Sequence, residues 1–194
     1  MRPQKRKGMR DAVPTGSPSD ESLLDAFAGG DDSAFASLYS RYRERVTLYA
    51  WRLLRRREDA EEVCAEVFTT IARGTWRPTG TFRAFLFTIT HRRCVDRLRR
   101  RRRRARLLPW LRQADRSDET PEDAAAHDEQ LRRLERALSA LSGDLRTVVL
   151  LYYGEELPSR EVAKILDCTD QQVRSRLSYA RRKLRGVMLP EEEP

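Results

Sequence analysis

The stretch from Leu157 to Arg185, LPSREVAKILDCTDQQVRSRLSYARRKLR, constrains the fold more tightly than any other part of the chain. It sets out a short helix, a tight break and a longer basic helix, the order of a helix-turn-helix. In the first helix Val162, Ile165 and Leu166 recur at i, i+3 and i+4, and Ala163 is small enough for a close crossing. Ser159 is the expected N-cap, with Glu161 in the first turn, where the helix dipole favours an acid. Asp167, Cys168 and Thr169 form the break. Thr169 and Gln172, three residues apart, make a capping box that starts the second helix.

The second helix divides its residues between two faces. Val173, Leu177, Ala180, Leu184 and Val187 form one apolar stripe. Gln171, Arg174, Ser175, Ser178 and Arg182 lie opposite, with Tyr179 at the border. An amphipathic helix with a solvated polar face is the commoner meaning of such a pattern. Here the polar face holds Arg, Gln and Ser and no acid between Gln171 and Arg185, and a capped partner helix precedes it. Gln and Arg match base edges bidentately, while Ser and Tyr bond phosphate, so the pattern points to DNA.

Charge points the same way. The 194 residues carry a formal net charge of +9, which favours a polyanion over an acidic substrate. With 39% hydrophobic against 36% charged residues, the chain is expected to build small helical cores rather than one large one. No apolar run approaches the roughly 18 residues of a membrane span. The opening MRPQKRKGMRDAVPTGSPSD is basic but lacks the apolar stretch of a signal peptide, so a cytoplasmic location is expected. Cys64, Cys94 and Cys168 are odd in number and far apart, the pattern of ordinary thiols. His91 and Cys94 lie one turn apart with no second pair, so no metal or other cofactor is expected.

Along the chain, residues 1–19, basic and rich in Pro, Ser and Gly, are expected to be a disordered tail. Residues 20–106 read as helix almost throughout: Leu23, Leu24 and Phe27 in a short helix ended by Gly29-Gly30; then an Asp31-capped helix carrying Phe35, Leu38, Tyr39, Tyr42, Val46, Tyr49 and Leu53. A third helix from about Glu58 buries Val63, Val67, Phe68 and Ile71. GTWRPTG, 74–80, is a loop. A fourth helix runs from about Thr81 into an arginine block. Residues 107–127, with two prolines and an acidic cluster, read as a linker with a helix restarting near Glu122. Residues 128–188 hold the second domain, and 189–194 an acidic tail. The expected fold is all-α: two small helical domains joined by a linker, the second containing the helix-turn-helix.

From Arg97 to Arg106 only Leu98 and Ala105 are not Arg. Guanidinium groups on every side of a helix neutralise phosphate without reading sequence. A charge run is often merely solvated, but cations this close repel and call for a polyanion or nearby acids. Upstream, Trp76, Phe82, Arg83, Phe85, Phe87, His91, Arg92 and Arg93 interleave rings and cations, a mixture that suits unpaired bases. Phe82, Phe85, Leu86 and Ile89 also fit a core stripe, which leaves Trp76 and the His91–Arg93 edge as the exposed candidates.

Taken in order, these segments resemble a bacterial RNA polymerase sigma factor of the extracytoplasmic-function (group IV) type. LLDAFAGGDDSAFASLYSRYRERV resembles region 2.1, and DAEEVCAEVF the region 2.2 helix that docks on the polymerase clamp. FRAFLFTITHRRCVDRLRRRRR resembles regions 2.3 and 2.4, which melt and read the −10 element. LERALSALSGDLRTVVLLYYGEELPSREVAKIL and VRSRLSYARRKLR resemble region 4, which reads the −35 element and binds the polymerase flap. The resemblance implies core polymerase, promoter DNA and a cognate anti-sigma factor as partners, with no membrane insertion. It implies that Asp59, Glu61, Glu62 and Glu66 dock on core; that Trp76, His91, Arg92, Arg93, Arg99, Arg100 and Arg103 serve the −10 region and its backbone; and that Gln171, Arg174, Ser175, Ser178, Tyr179 and Arg182 read the −35 element. Ala65, Phe85, Arg92 and Tyr179 depart from residues common in the family, respectively Gln, Trp, Asn and Arg.

Two further classes stay open on the sequence. A stand-alone helix-turn-helix regulator would want a ligand pocket or dimer seam, and would have no use for the DAEEVCAEVF helix. A nucleic-acid-processing enzyme would want a nucleophile–base pair or acid triad, and none has a convincing setting.

Overall fold

The computed structural model describes residues 17–74, 80–107 and 129–188, and among these every regular element is helical. The first four helices are α1 (Asp20–Ala28), α2 (Asp32–Leu54), α3 (Arg57–Ala72) and α4 (Phe82–Leu107). After the second interval come α5 (Glu129–Ser139), α6 (Gly143–Val149), a π turn over Leu150–Gly154, α7 (Ser159–Ile165) and α8 (Asp170–Met188).

Local chemistry explains the boundaries. Ser19 caps α1, its Oγ accepting from Ser22 N at 3.1 Å. Gly29 ends that helix, and Gly30 turns the chain at φ 97°, a backbone only glycine adopts at low cost. Asp31 caps α2, accepting from Ser33 N at 2.9 Å. That bond, with the Ser33 hydroxyl, holds the Asp31 carboxyl below its ordinary value. One expected cap is not used as such: the N-cap of α7 is Pro158, and Ser159 is its first helical residue. Proline brings a fixed φ and an extended ψ to the cap position, and Ser159 instead bonds Asp170 at the head of α8.

In the N-terminal domain α2 is the central helix, packed by α1, α3 and α4. Leu38, Tyr42, Val46, Tyr49 and Leu54 of α2 meet Val63, Val67 and Ile71 of α3 and Phe82, Leu86 and Phe87 of α4, all buried. In the C-terminal domain α8 lies against α5, α6 and α7 through Val173, Leu177 and Ala180. The small separate cores expected from composition are not what forms. The buried residues make one continuous cluster across both domains, because α6 packs on α2 and α7 on α4. The linker at 108–127 and its expected helical restart near Glu122 lie outside the described residues, as do most of the N-terminal tail and all of 189–194.

Candidate nucleic-acid interface

Helix α8 begins as its sequence requires. Thr169 Oγ1 accepts from Gln172 N at 3.2 Å, and Gln172 Oε1 accepts from Thr169 N at 2.9 Å, the reciprocal capping box. Asp167 turns the break at φ 50°, a left-handed conformation that Asp tolerates better than most residues. With the apolar stripe seated on α6 and α7, the opposite face is open: Gln171, Arg174, Ser175, Ser178, Tyr179 and Arg182 are all exposed. Arg174 pairs with Asp170 one turn back. The Arg182 guanidinium lies 5.6 Å and Lys183 Nζ 5.8 Å from the Tyr179 ring centroid, which orders the basic edge around an aromatic. A shallow groove lined by Thr169, Gln171, Gln172, Ser175 and Arg176 opens at the helix start.

Helix α4 is less simply divided. Thr81 Oγ1 accepts from Ala84 N at 3.2 Å and starts the helix. Phe82 and Phe87 are fully buried, edge-on to Tyr42 and Tyr49 with centroids 5.5 and 5.4 Å apart. Those rings belong to the core and are closed to bases; Phe85 is half-buried beside them. His91, expected to be exposed, is half-buried. Its Nδ1 lies 3.0 Å from the Tyr49 hydroxyl, and burial pushes the imidazole down to about 4, so it is neutral at physiological pH. A helix turning 100° per residue carries His91 onto the α2 side while Arg92 and Arg93 stay exposed. Trp76 lies outside the described residues.

The arginine block is likewise not uniform. Arg99, Arg100, Arg102, Arg103 and Arg104 are exposed, Arg99 lying 3.8 Å from Asp96. Arg97 and Arg101, one turn apart, face inward. Arg101 donates to the Leu54 carbonyl at 3.2 Å, tying the block to the end of α2. Arg97 donates to Glu62 Oε2 at 2.7 Å and Glu66 Oε1 at 2.6 Å, and lies 3.6 Å from Asp59 Oδ1. Arg93 adds a contact of 3.6 Å to Glu66.

These pairings recast the α3 acids. Asp59, Glu62 and Glu66 share one face of α3 and are gathered by α4, while Glu61 points elsewhere and pairs with Arg57 at 3.0 Å. The sequence held the signal: acids at i, i+3 and i+7 opposite arginines at i and i+4. No local period reveals it, because Arg97 stands 31 residues from Glu66 and 35 from Glu62. Three of the four acids therefore have a structural duty besides any docking duty. Among the described residues no group of three or more His, Cys, Asp or Glu is placed to hold a metal, and the three thiols are unpaired.

Two family models match in register with this geometry. Sigma-70 region 2 covers residues 38–104, through α2, α3 and α4, and Sigma-70 region 4 covers residues 131–184, through the helix-turn-helix. The chain belongs to the sigma-70 family, as a factor of the extracytoplasmic-function type. A relative described as the ECF RNA polymerase sigma factor SigK of Mycobacterium tuberculosis is 30% identical over 183 residues, covering 90% of this chain and 98% of its own. The ECF sigma factor SigE of Mycolicibacterium smegmatis is 34% identical over 182 residues, covering 90% of this chain and 70% of its own. The fold is shared with RpoE, solved with the anti-sigma factor NepR from Bartonella quintana: TM-score 0.70, 19% identity, 81% of this chain and 98% of that one. CnrH, solved with the cytosolic domain of CnrY, gives TM-score 0.63 at 24% identity, over 89% of this chain and 99% of that one.

The sigma-70 assignment decides between the classes left open by the sequence. The chain is an RNA polymerase sigma factor: it binds core polymerase and directs promoter recognition and melting. A stand-alone regulator would share the helix-turn-helix but not region 2.

Proposed function

We propose that this sigma factor grips its promoter at two places with two kinds of contact. The exposed face of α8, with Gln171, Arg174, Ser175, Ser178, Tyr179 and Arg182, reads the −35 element in the major groove. Arg92, Arg93, Arg99, Arg100 and Arg103 of α4, with Trp76 of the preceding loop, hold the −10 region, mainly through phosphate. His91 supports that surface from within, as a neutral prop against Tyr49, and touches no base. Asp59, Glu61, Glu62 and Glu66 of α3 are the docking acids for core polymerase, Glu61 being the one outside the Arg97 cluster.

One observation carries this reading: two exposed cationic faces stand on different domains, one patterned with Gln, Ser and Arg, the other almost purely with Arg. Patterned donors and acceptors discriminate bases, whereas bare guanidinium groups respond to charge. The factor performs no covalent chemistry itself and works in the cytoplasm beside the polymerase; among the described residues no helix is long and apolar enough to cross a membrane. Its relatives in solved complexes carry anti-sigma factors, and a cognate one is proposed here too. The test is run-off transcription with core polymerase from DNA upstream of the factor's own gene, comparing wild type with Glu61→Lys. Wild-type transcript that falls with Glu61→Lys, while the thermal melt is unchanged, supports the assignment. A Glu61→Lys chain that binds core as tightly as wild type overturns the docking face.

A further inference from the structure

Helix α8 runs for 19 residues, DQQVRSRLSYARRKLRGVM, and holds one acid, Asp170, at its first position. The open face of that helix is otherwise Gln, Ser, Tyr and Arg, and an acid beside it repels the polyanion the face is proposed to meet. The helix dipole favours a carboxylate in the first turn, which is the ordinary reason to find one there. That start is already closed, however, by the reciprocal bonds of Thr169 and Gln172. The Asp170 carboxylate is turned elsewhere: its Oδ2 accepts from Arg174 Nη2, four residues on, while its Oδ1 is buried against the protein.

The two ends of this pair are unlike. The Asp170 side chain is 28% exposed and the Arg174 side chain 66%, so the acid is seated and the guanidinium reaches out. The seat is supplied by α7. The Ser159 side chain bonds the Asp170 carboxylate, and that bond, with Arg174 and the nearby charge of Arg160, holds the carboxyl below its ordinary range. The acid therefore stands in the corner between the two helices of the helix-turn-helix and fixes one side chain of the open face. Arg182, further along that face, is ordered in a different way, over the Tyr179 ring.

We propose that Asp170 is a positioning residue for promoter recognition: by holding one N–H of Arg174, it aims the rest of the guanidinium at a single base edge of the −35 element. This rests on the reading of the −35 element by α8 given above. A guanidinium carries five N–H donors in a rigid plane, and the bond to Asp170 takes one of them. The donors left over still form a fork that matches the two acceptors of a guanine edge, O6 and N7. An untethered arginine on an exposed helix has many rotamers to give up, and it can swing to the nearest phosphate, which carries no sequence information. Tethering lowers the ordering cost of the base-directed pose alone. The acid thus raises discrimination between sites while its charge lowers affinity for DNA in general. An exposed pair at this spacing adds little to folding, so removing it tests recognition rather than stability.

The test uses holoenzyme, the full chain with core polymerase. Transcript starts are mapped on sheared genomic DNA of the factor's own organism. The −35 stretch of one transcribed fragment is then randomised and the transcribed templates are sequenced. Preference at each base pair is the enrichment of its best base over its worst. Arg174→Ala should flatten the preference at one base pair, by about five- to 150-fold. Asp170→Asn should lower the preference at that same pair by about two- to tenfold, the effect of ordering one rotamer-rich side chain, and leave the other pairs as in wild type. Asp170→Glu, which keeps the charge, should restore the preference that Asp170→Asn loses. The double variant should match Arg174→Ala alone, because no guanidinium is left to aim.

An unchanged preference in Asp170→Asn overturns the positioning role. So does a drop at a different base pair, or a further drop in the double variant, since either makes Asp170 a base contact of its own. A uniform drop across all pairs with a lower melting temperature makes the residue merely structural and overturns the role as well. The two ideas fail differently. If Arg174→Ala flattens no pair, the −35 reading falls and the role of Asp170 with it; if it flattens one pair while Asp170→Asn flattens none, only the role of Asp170 falls.

Discussion

Helices α8 and α4 both carry the basic residues proposed to meet DNA, yet they are built on different terms. In α8 the six polar-face residues are all exposed, and the ion pair on that face, Arg174 with Asp170, lies within the helix. In α4 the same residue types are divided between duties. Arg97 is held by Asp59, Glu62 and Glu66, Arg101 by a carbonyl of α2, His91 by Tyr49, and Phe82 and Phe87 by the core. The difference follows from neighbours. Helix α8 packs by one stripe on helices close in sequence, whereas α4 is embraced by α2 and α3 and has no single outward face. A cation or ring on a helix counts as a DNA contact only after its other partners are known.

The strongest way to break this comparison is Phe87→Ala. If Phe87 is core, edge-on to Tyr49, the truncation should cost about 3 to 5 kcal/mol of folding stability, read by chemical denaturation. A chain of unchanged stability that has lost promoter melting would make Phe87 a stacking ring after all.

Next in size is Arg174→Ala. On the reading helix it should cost roughly 1 to 3 kcal/mol on a matched −35 site and much less on a scrambled one, measured at fixed salt. The matching change on α4, Arg100→Gln with Arg103→Gln, should weaken every sequence alike and flatten the salt dependence of binding. Uniform loss from Arg174→Ala, or sequence-selective loss from the α4 pair, would erase the distinction between reader and grip.

The smallest effect concerns His91. Its folded value near 4 lies below the ordinary 6.5 because burial disfavours the cation. Folding takes up the neutral ring, so this contribution is complete above pH 6.5 and is lost as pH falls toward 4. His91→Gln should make the acid side of the stability profile shallower across that window. A profile identical to wild type would mean that the ring is solvated and available to DNA.

Much of this was legible in advance. The capping box of α8, the Gly29-Gly30 stop and the Asp31 cap depend on residues within four positions of one another and form as expected, whereas Pro158 takes the α7 cap expected of Ser159. The buried face of α3 followed from its period. His91, Phe87 and Arg97 were harder, because a helix surrounded on several sides has no clean polar face for periodicity to reveal. The Arg97 pairs were visible in principle, through the matched spacing on α3 and α4, but only to a reader who already paired those helices.

The sequence by itself determined the helices, most of their ends, and the open polar face of α8, because those outcomes rest on hydrogen bonds and side-chain periods spanning a turn or two. Only the tertiary structure decided which arginines are spent on the protein, that His91 is half-buried against Tyr49, and that the two domains share one core. Those outcomes depend on long-range meetings such as Arg45 with Glu155 and Arg52 with Glu135, 110 and 83 residues apart. A guanidinium reads the same in sequence whether it will face phosphate or a carboxylate; burial and the partner brought beside it settle which.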